Sequence, residues 1–406
     1  MDSSFKILGD TVLERWKREN FSLEKFPAIA QAALDERPPA THVNLSTLMH
    51  DFLLKDDQPV QTDSDFGQPE IIAYSHPRFY IQLLFWMDGT TAIHQHEFSG
   101  AFHVMHGSSI HARYDFEDEA AVTPYLRVGN LRMREMELLP TGRTVPIASG
   151  RRDIHSLFHL ESPSVTVVVR TQHDPGTGPQ LNYMPPHVAF DPQFSDTLTT
   201  RRKQLLDMLQ QIDDDGYGQV VAEMIADLDF ERGFSVLHHC RAYLQHVDQW
   251  DAVLHIFTKK HGTLASGIAA TLNEDARRNI IKDFRSTITE PEHRFFLALL
   301  MNAPTRTDLL NLVAHRFPKP APTETVLRWL SELAEVTDEG TSILDVILPE
   351  TIEIDTEAQP ELLLSAIRYF MNREKKRPPA MGELSAADVA ALREAFAEST
   401  LGVLTK

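Results

Sequence analysis

The sequence predicts an α+β multidomain protein in which one small β-barrel sits between short N-terminal helices and a large all-helical C-terminal part. Three observations predict it. At 406 residues the chain exceeds one ordinary domain. Its apolar spacing is helical to about residue 55, becomes short or alternating between about 65 and 190, and is helical again to the end. Turn-forming residues stand at both changes, from Lys55 to Pro69 and at Pro185-Pro186. The division is therefore 1–60 for docking helices, 61–192 for the barrel and 193–406 for the helical part.

Taken in order, Phe5, Leu8, Val12 and Trp16 fall on one helical face, as do Leu45, Leu48 and Phe52. Strands are expected at Phe79 to Met87, Ala92 to His96, Gly100 to Met105, Ile110 to Phe116, Leu131 to Leu138 and Val165 to Thr171. Short strands with no helical pattern between them suit a sandwich or barrel rather than βαβ units. Beyond Ser195 the pattern is amphipathic. Leu205, Met208, Leu209 and Ile212 form one predicted face, and Phe295 and Leu299 belong to a segment apolar nearly all round.

Charge excludes some partners. With 39 Lys plus Arg against 58 Asp plus Glu, the formal charge is -19, which repels nucleic-acid phosphates and acidic lipid surfaces. The single cysteine, Cys240, rules out an internal disulfide framework and suits a reducing compartment. The beginning MDSSFKILGD shows no basic-then-apolar signal pattern, so a cytoplasmic protein is expected. The helical part is the expected surface for a homo-oligomer or a protein partner.

Eight of the 19 histidines lie between His94 and His173, inside the predicted β region. His94 and His96 are one residue apart on a predicted strand, and the strand period of two turns both rings to one side. A third neutral nitrogen from another strand completes one face of an octahedron and leaves the opposite positions to water, O2 or substrate. His155 is the candidate for it, with His159 on the same strand face as its competitor.

The run Gly89-TTAI-His94-Gln-His96-EFS-Gly100-AFHVMH-Gly107 resembles the first motif of the cupin superfamily, and Asp153-Ile-His155-Ser-Leu-Phe-His159 stands where its second motif is expected. The resemblance implies a single jelly-roll cupin barrel with a metal on His94, His96 and His155. Gly100 falls where many cupins carry a metal-binding glutamate. Phe79 to Trp86 followed by Ile93 to His96 is similar to the thiol dioxygenases, which hold iron(II) on three histidines. That likeness implies an iron(II)-dependent oxygenase acting on O2 and a small organic substrate, with zinc or manganese in an isomerase or hydrolase as the alternative. A ligand-sensing cupin without turnover is the reading from another class. No arginine lies between Glu70 and Ser75, where that family binds its substrate carboxylate, so cysteine is not supported as the substrate.

Further site candidates follow from strand parity. Arg170 shares a face with Thr166 and Val168 and is the candidate anchor for an anionic group, because a guanidinium fork suits a carboxylate or phosphate. Tyr80, Gln82 and Trp86 share a face of their strand. His103, His106, His111 and His173 read as ordinary core or surface histidines. Glu97 is expected on the side opposite the ligands, and the adjacent His238 and His239 read as a satisfied helical pair.

Overall fold

The computed structural model describes residues 3–64, 66–87, 91–212, 214–335, 343–344, 346–372 and 376–405. The chain opens with helices α1 (Ser3–Arg18), α2 (Phe26–Glu36), α3 (Pro39–His42) and α4 (Leu45–Leu54). Spacing of three and four turns Phe5, Leu8, Val12 and Trp16 into one buried stripe of α1. Trp16 meets Phe26 at 4.4 Å and Phe79 at 6.2 Å between ring centroids, and its indole N–H donates to the Ser22 carbonyl at 2.8 Å. Each such buried ring contributes roughly 1.5–3 kcal/mol by leaving water.

The strands follow as β1 (Glu70–His76), β2 (Phe79–Trp86), β3 (Ile93–His96), β4 (Gly100–His106), β5 (Ser109–Ala121), β6 (Leu126–Leu139), β7 (Thr144–Ile147), β8 (Gly150–His159), β9 (Ser164–Thr171), β10 (Asn182–Met184) and β11 (Val188–Phe190). One antiparallel sheet has the order β1-β2-β9-β4-β7. The other closes into a six-strand ring, β10-β11-β6-β5-β8-β3. Alternation on β9 shows how the layers arise. Val165, Val167 and Val169 pack outward beneath the N-terminal helices, while Val168 turns inward to Leu84, Trp86, Phe102 and, from the ring, Leu157. Ile93, Tyr114, Phe116, Ile154 and Tyr183 fill the ring itself. The two facing antiparallel sheets and the closed ring fit the expected cupin architecture.

Seven strands differ from the sequence expectation by more than a residue; two of them are β5, which runs on to Ala121, and β6, which begins at Leu126, past the expected ends at Phe116 and Leu131. β1, β7, β10 and β11 were not among the predicted strands, and β8 starts at Gly150, ahead of the His155 motif. β7 lies at a sheet edge and contains Pro146, a position where proline costs no ladder bond on the open side but hides the strand pattern. β10 and β11 are three residues each, too short for alternation to register.

The helical part runs α5 (Thr197–Ile212), α6 (Asp214–Asp227), α7 (Phe230–His246), α8 (Trp250–His261), α9 (Ile268–Thr287), α10 (Pro291–Asn302), α11 (Arg306–Arg316), α12 (Pro322–Glu335), α13 (Gln359–Asn372) and α14 (Ala386–Glu398). It forms two cores joined by α9. Ile268 and Leu272 of α9 belong with α5 to α8, while Ile281 and Phe284 belong with α10 to α14. Both cores take in residues of the ring or its edge: Leu126, Met184 and Val188 in the first, Ile110, Phe158 and, just past β8, Leu160 in the second. α10 is buried all round from Arg294 to Asn302, as its unbroken apolar run requires. The face predicted on α5 is corrected. Leu205, Met208 and Ile212 are exposed, and the helix is rotated so that Leu206, with Leu209 beside it, carries the packing against α6 and α7. Among the described residues no helix is long and apolar enough to cross a membrane.

Candidate metal centre

β3 and β8 are neighbours, and their register sets His94 directly opposite His155. In an antiparallel pair, opposed residues share a face, so this register brings together rings 61 positions apart in the chain. The register shifts between His94 and His96, where Gly150, at φ +66°, takes the place opposite His96. The three ring centroids form a near-equilateral triangle with sides of 4.5, 4.9 and 4.9 Å. Every one of these rings is buried, and their ligand nitrogens all lie within 4.8 Å of one another. Burial, the largest cause, holds all three pKa values below the ordinary histidine value; for His96 and His155 the charges of their fellow rings push the same way. The group is therefore a set of neutral imidazoles.

Hydrogen bonds select the nitrogens. His94 Nδ1 lies 2.8 Å from the Ala92 carbonyl, so it carries the proton and leaves Nε2 as a lone pair, buried and without a partner. His96 Nε2 and His155 Nε2 stand 2.8 Å apart. Two nitrogens bound at right angles to one ion at about 2.1 Å would be about 3 Å apart. His155 Nδ1 lies 2.9 Å from Nε2 of His111, on β5. Three converging Nε2 atoms, one of them orphaned in the protein interior, fit a divalent metal ion.

The neighbouring turn is anchored from below. Asp174 accepts from the Ser99 hydroxyl at 2.5 Å and the Thr171 hydroxyl at 2.7 Å, and its N–H donates to the Glu97 carbonyl at 2.7 Å. This fixes residues 97–99 immediately after His96. The Glu97 carboxylate accepts from the Gln180 N–H and lies near His173, on the side expected. Gly89 of the motif lies outside the described residues.

A cavity of about 340 Å³ opens between the two sheets over the histidines. Tyr80, Gln82, Trp86, Phe98, Phe102 and Arg170 are among the residues that line it. The Arg170 guanidinium lies 3.5 Å from the Phe98 ring centroid and 5.0 Å from that of Tyr80. Its Nε and one Nη donate to the carbonyls of Thr171 and Gln172, both at 3.3 Å. Burial lowers its pKa and raises that of Tyr80. Gln82 is buried, and its carbonyl oxygen has no partner.

His159 is not among the cavity residues. Four residues along a strand from His155 is about 13 Å, which carries it past the metal group. Its ring stacks on Trp86 at 4.7 Å, and its Nδ1 meets the hydroxyls of Ser109 at 3.0 Å and Ser164 at 2.8 Å. His103 faces the N-terminal helices, bonded to the Thr144 hydroxyl. His238 and His239 pair with Asp275 and Asp207, and among the described residues no second cluster of metal-ligating groups forms.

Gly100 pairs with Arg170 of β9, whose side chain lines the cavity. A Cβ at Gly100 would lie 2.1 Å from the Val169 carbonyl oxygen, so the glycine serves the close approach of β4 to β9. His111, read from sequence as an ordinary core or surface histidine, stands directly behind His155.

No family model and no curated protein matches the chain. Among solved structures it is similar to the DMSP lyase DddQ from Ruegeria pomeroyi DSS-3, with 13% identity and a TM-score of 0.25, covering 46% of this chain and 98% of that one. A likeness this shallow transfers nothing about activity.

Proposed function

We propose that this chain is a metal-dependent cupin enzyme of the iron(II) oxygenase class, acting on a small organic molecule bound between the two sheets. The observation that carries it is the donor set: His94, His96 and His155 are neutral, converge through Nε2 and include no carboxylate. Iron(II) on such a face supplies a redox-active centre with adjacent open positions for a substrate donor and O2. The protein's own residues then do the positioning. Arg170 draws an anionic group of the substrate toward the cavity, a role favoured because no carboxylate side chain is hydrogen-bonded to it among the described residues. The buried Gln82 carbonyl oxygen accepts from a substrate donor, and the Tyr80 hydroxyl, kept protonated by burial, donates. Trp86, Phe98, Phe102 and Leu157 exclude water. His159 acts through Trp86 as a positioning residue.

The test is oxygen consumption by anaerobically prepared protein reconstituted with iron(II) and offered small carboxylates and phosphates. Stoichiometric O2 uptake with substrate loss supports the reading. Turnover of the same substrates without O2, by zinc- or manganese-loaded protein, would move the chain to the isomerase or hydrolase class.

A further inference from the structure

The contact behind His155 continues outward. His111 Nε2 is 2.9 Å from His155 Nδ1, and His111 Nδ1 is 3.6 Å from Oε1 of Glu137, directly opposite it on β6. His111 is buried, whereas the Glu137 side chain is partly exposed and has Arg143 3.7 Å from its other oxygen. Glu137 thus stands at the outer end of a line that runs through two imidazoles to the metal group.

Two proton arrangements satisfy the His111–His155 contact, and they have opposite consequences. In one, His155 Nδ1–H donates to His111 Nε2, His111 Nδ1–H points at the Glu137 carboxylate, and His155 Nε2 offers its lone pair to the metal. In the other, His111 Nε2–H donates to His155 Nδ1, which leaves a lone pair facing the carboxylate and sets His155 Nε2–H against His96 Nε2. Both hold two protons, so they interconvert without gain or loss. A carboxylate 3.6 Å from Nδ1 repels a lone pair and attracts an N–H, and little solvent reaches His111 to screen it.

We propose that Glu137 is a positioning residue: acting through His111, it holds His155 in the Nδ1–H tautomer and so keeps Nε2 open for the metal. The proposal rests on the metal-site reading above for its consequence, but the tautomer itself exists with or without metal. A carboxylate behind a metal-bound histidine is a common support; here an extra imidazole is interposed, which lets a surface strand govern a buried ligand.

The experiment uses the full chain and cobalt(II), whose absorption reports coordination. Glu137→Leu is expected to weaken cobalt affinity about tenfold or more. Glu137→Gln, whose amide oxygen still turns a partial negative charge toward His111 Nδ1, should stay closer to wild type than Glu137→Leu. In parallel, nitrogen NMR of metal-free protein labelled at histidine should show His155 protonated at Nδ1 in the wild type and in Glu137→Gln, and displaced toward the Nε2–H form in Glu137→Leu. Unchanged affinity together with an unchanged His155 tautomer in Glu137→Leu would overturn the proposal. Should wild-type protein take no cobalt, or His94→Ala keep it, the metal reading falls, and the tautomer spectra alone decide the role of Glu137.

Discussion

The choice of His155 over His159 as the proposed third ligand rests on register more than on motif. His155 and His159 share a strand face, but only His155 stands opposite His94, and a metal ion needs its donors within a few ångströms. Protein purified without oxygen is expected to hold about one iron per chain, and His94→Ala or His96→Ala to lose it, because two remaining imidazoles seldom retain iron(II) through purification. Elemental analysis decides this; full occupancy in both variants would remove the site. The His94–His96 pair was legible because a strand's period of two needs no tertiary knowledge, and Arg170 was legible by the same parity. His111 was not. It stands across from Leu157 and reaches His155 on the diagonal, a relation that depends on how β5 and β8 align and leaves no trace in local spacing.

Gly100 shows what an element imposes on the motif that contains it. β4 and β9 approach so closely at the Gly100–Arg170 pair that the Val169 carbonyl occupies the space of a side chain. Gly100→Ala is therefore expected to destabilise the protein by about 1–3 kcal/mol or more through overpacking, read as a lower urea midpoint with an unchanged slope. An alanine variant as stable as wild type would mean that β4 and β9 separate easily there. Strand existence was legible where a largely apolar run of six or more residues stood between turn signals, as on β2 and β9. It failed at edges and in three-residue strands, where pairing with a neighbour rather than local pattern makes the strand. The α5 face failed for a related reason. Its apolar residues exceed one stripe, and tertiary contacts with α6 and α7 chose Leu206 over Leu205, Met208 and Ile212.

At the scale of the whole molecule, the β-barrel is held between its helices at two seams, and each seam contains a buried neutral histidine. His103 lies beneath the N-terminal helices, accepting at Nε2 from the Ala40 N–H of α3 at 3.4 Å while its Nδ1 meets the Thr144 hydroxyl at 2.9 Å. His159 lies at the helical seam, where its carbonyl accepts from Arg285 of α9 at 2.7 Å. Burial pushes their pKa values down to about 4 and about 3. Above the ordinary histidine value of about 6.5 both are neutral whether the chain is folded or not, so they add no pH dependence there. Below it the unfolded chain takes up protons that the folded protein refuses, and stability falls with pH from about 6.5 until the folded values are reached. At pH 5 the loss is roughly 1–2 kcal/mol per histidine, since 1.5 units lie between 5 and 6.5 at about 1.4 kcal/mol each. Urea unfolding of chelator-treated protein should show this between pH 7 and pH 5, above the range where most carboxylates titrate. In His103→Gln the drop should shrink by one histidine's share, because an amide can keep the Thr144 and Ala40 contacts without titrating. A wild type equally stable at both values, or a variant with an undiminished drop, would show that His103 protonates freely and that the N-terminal seam is open to solvent.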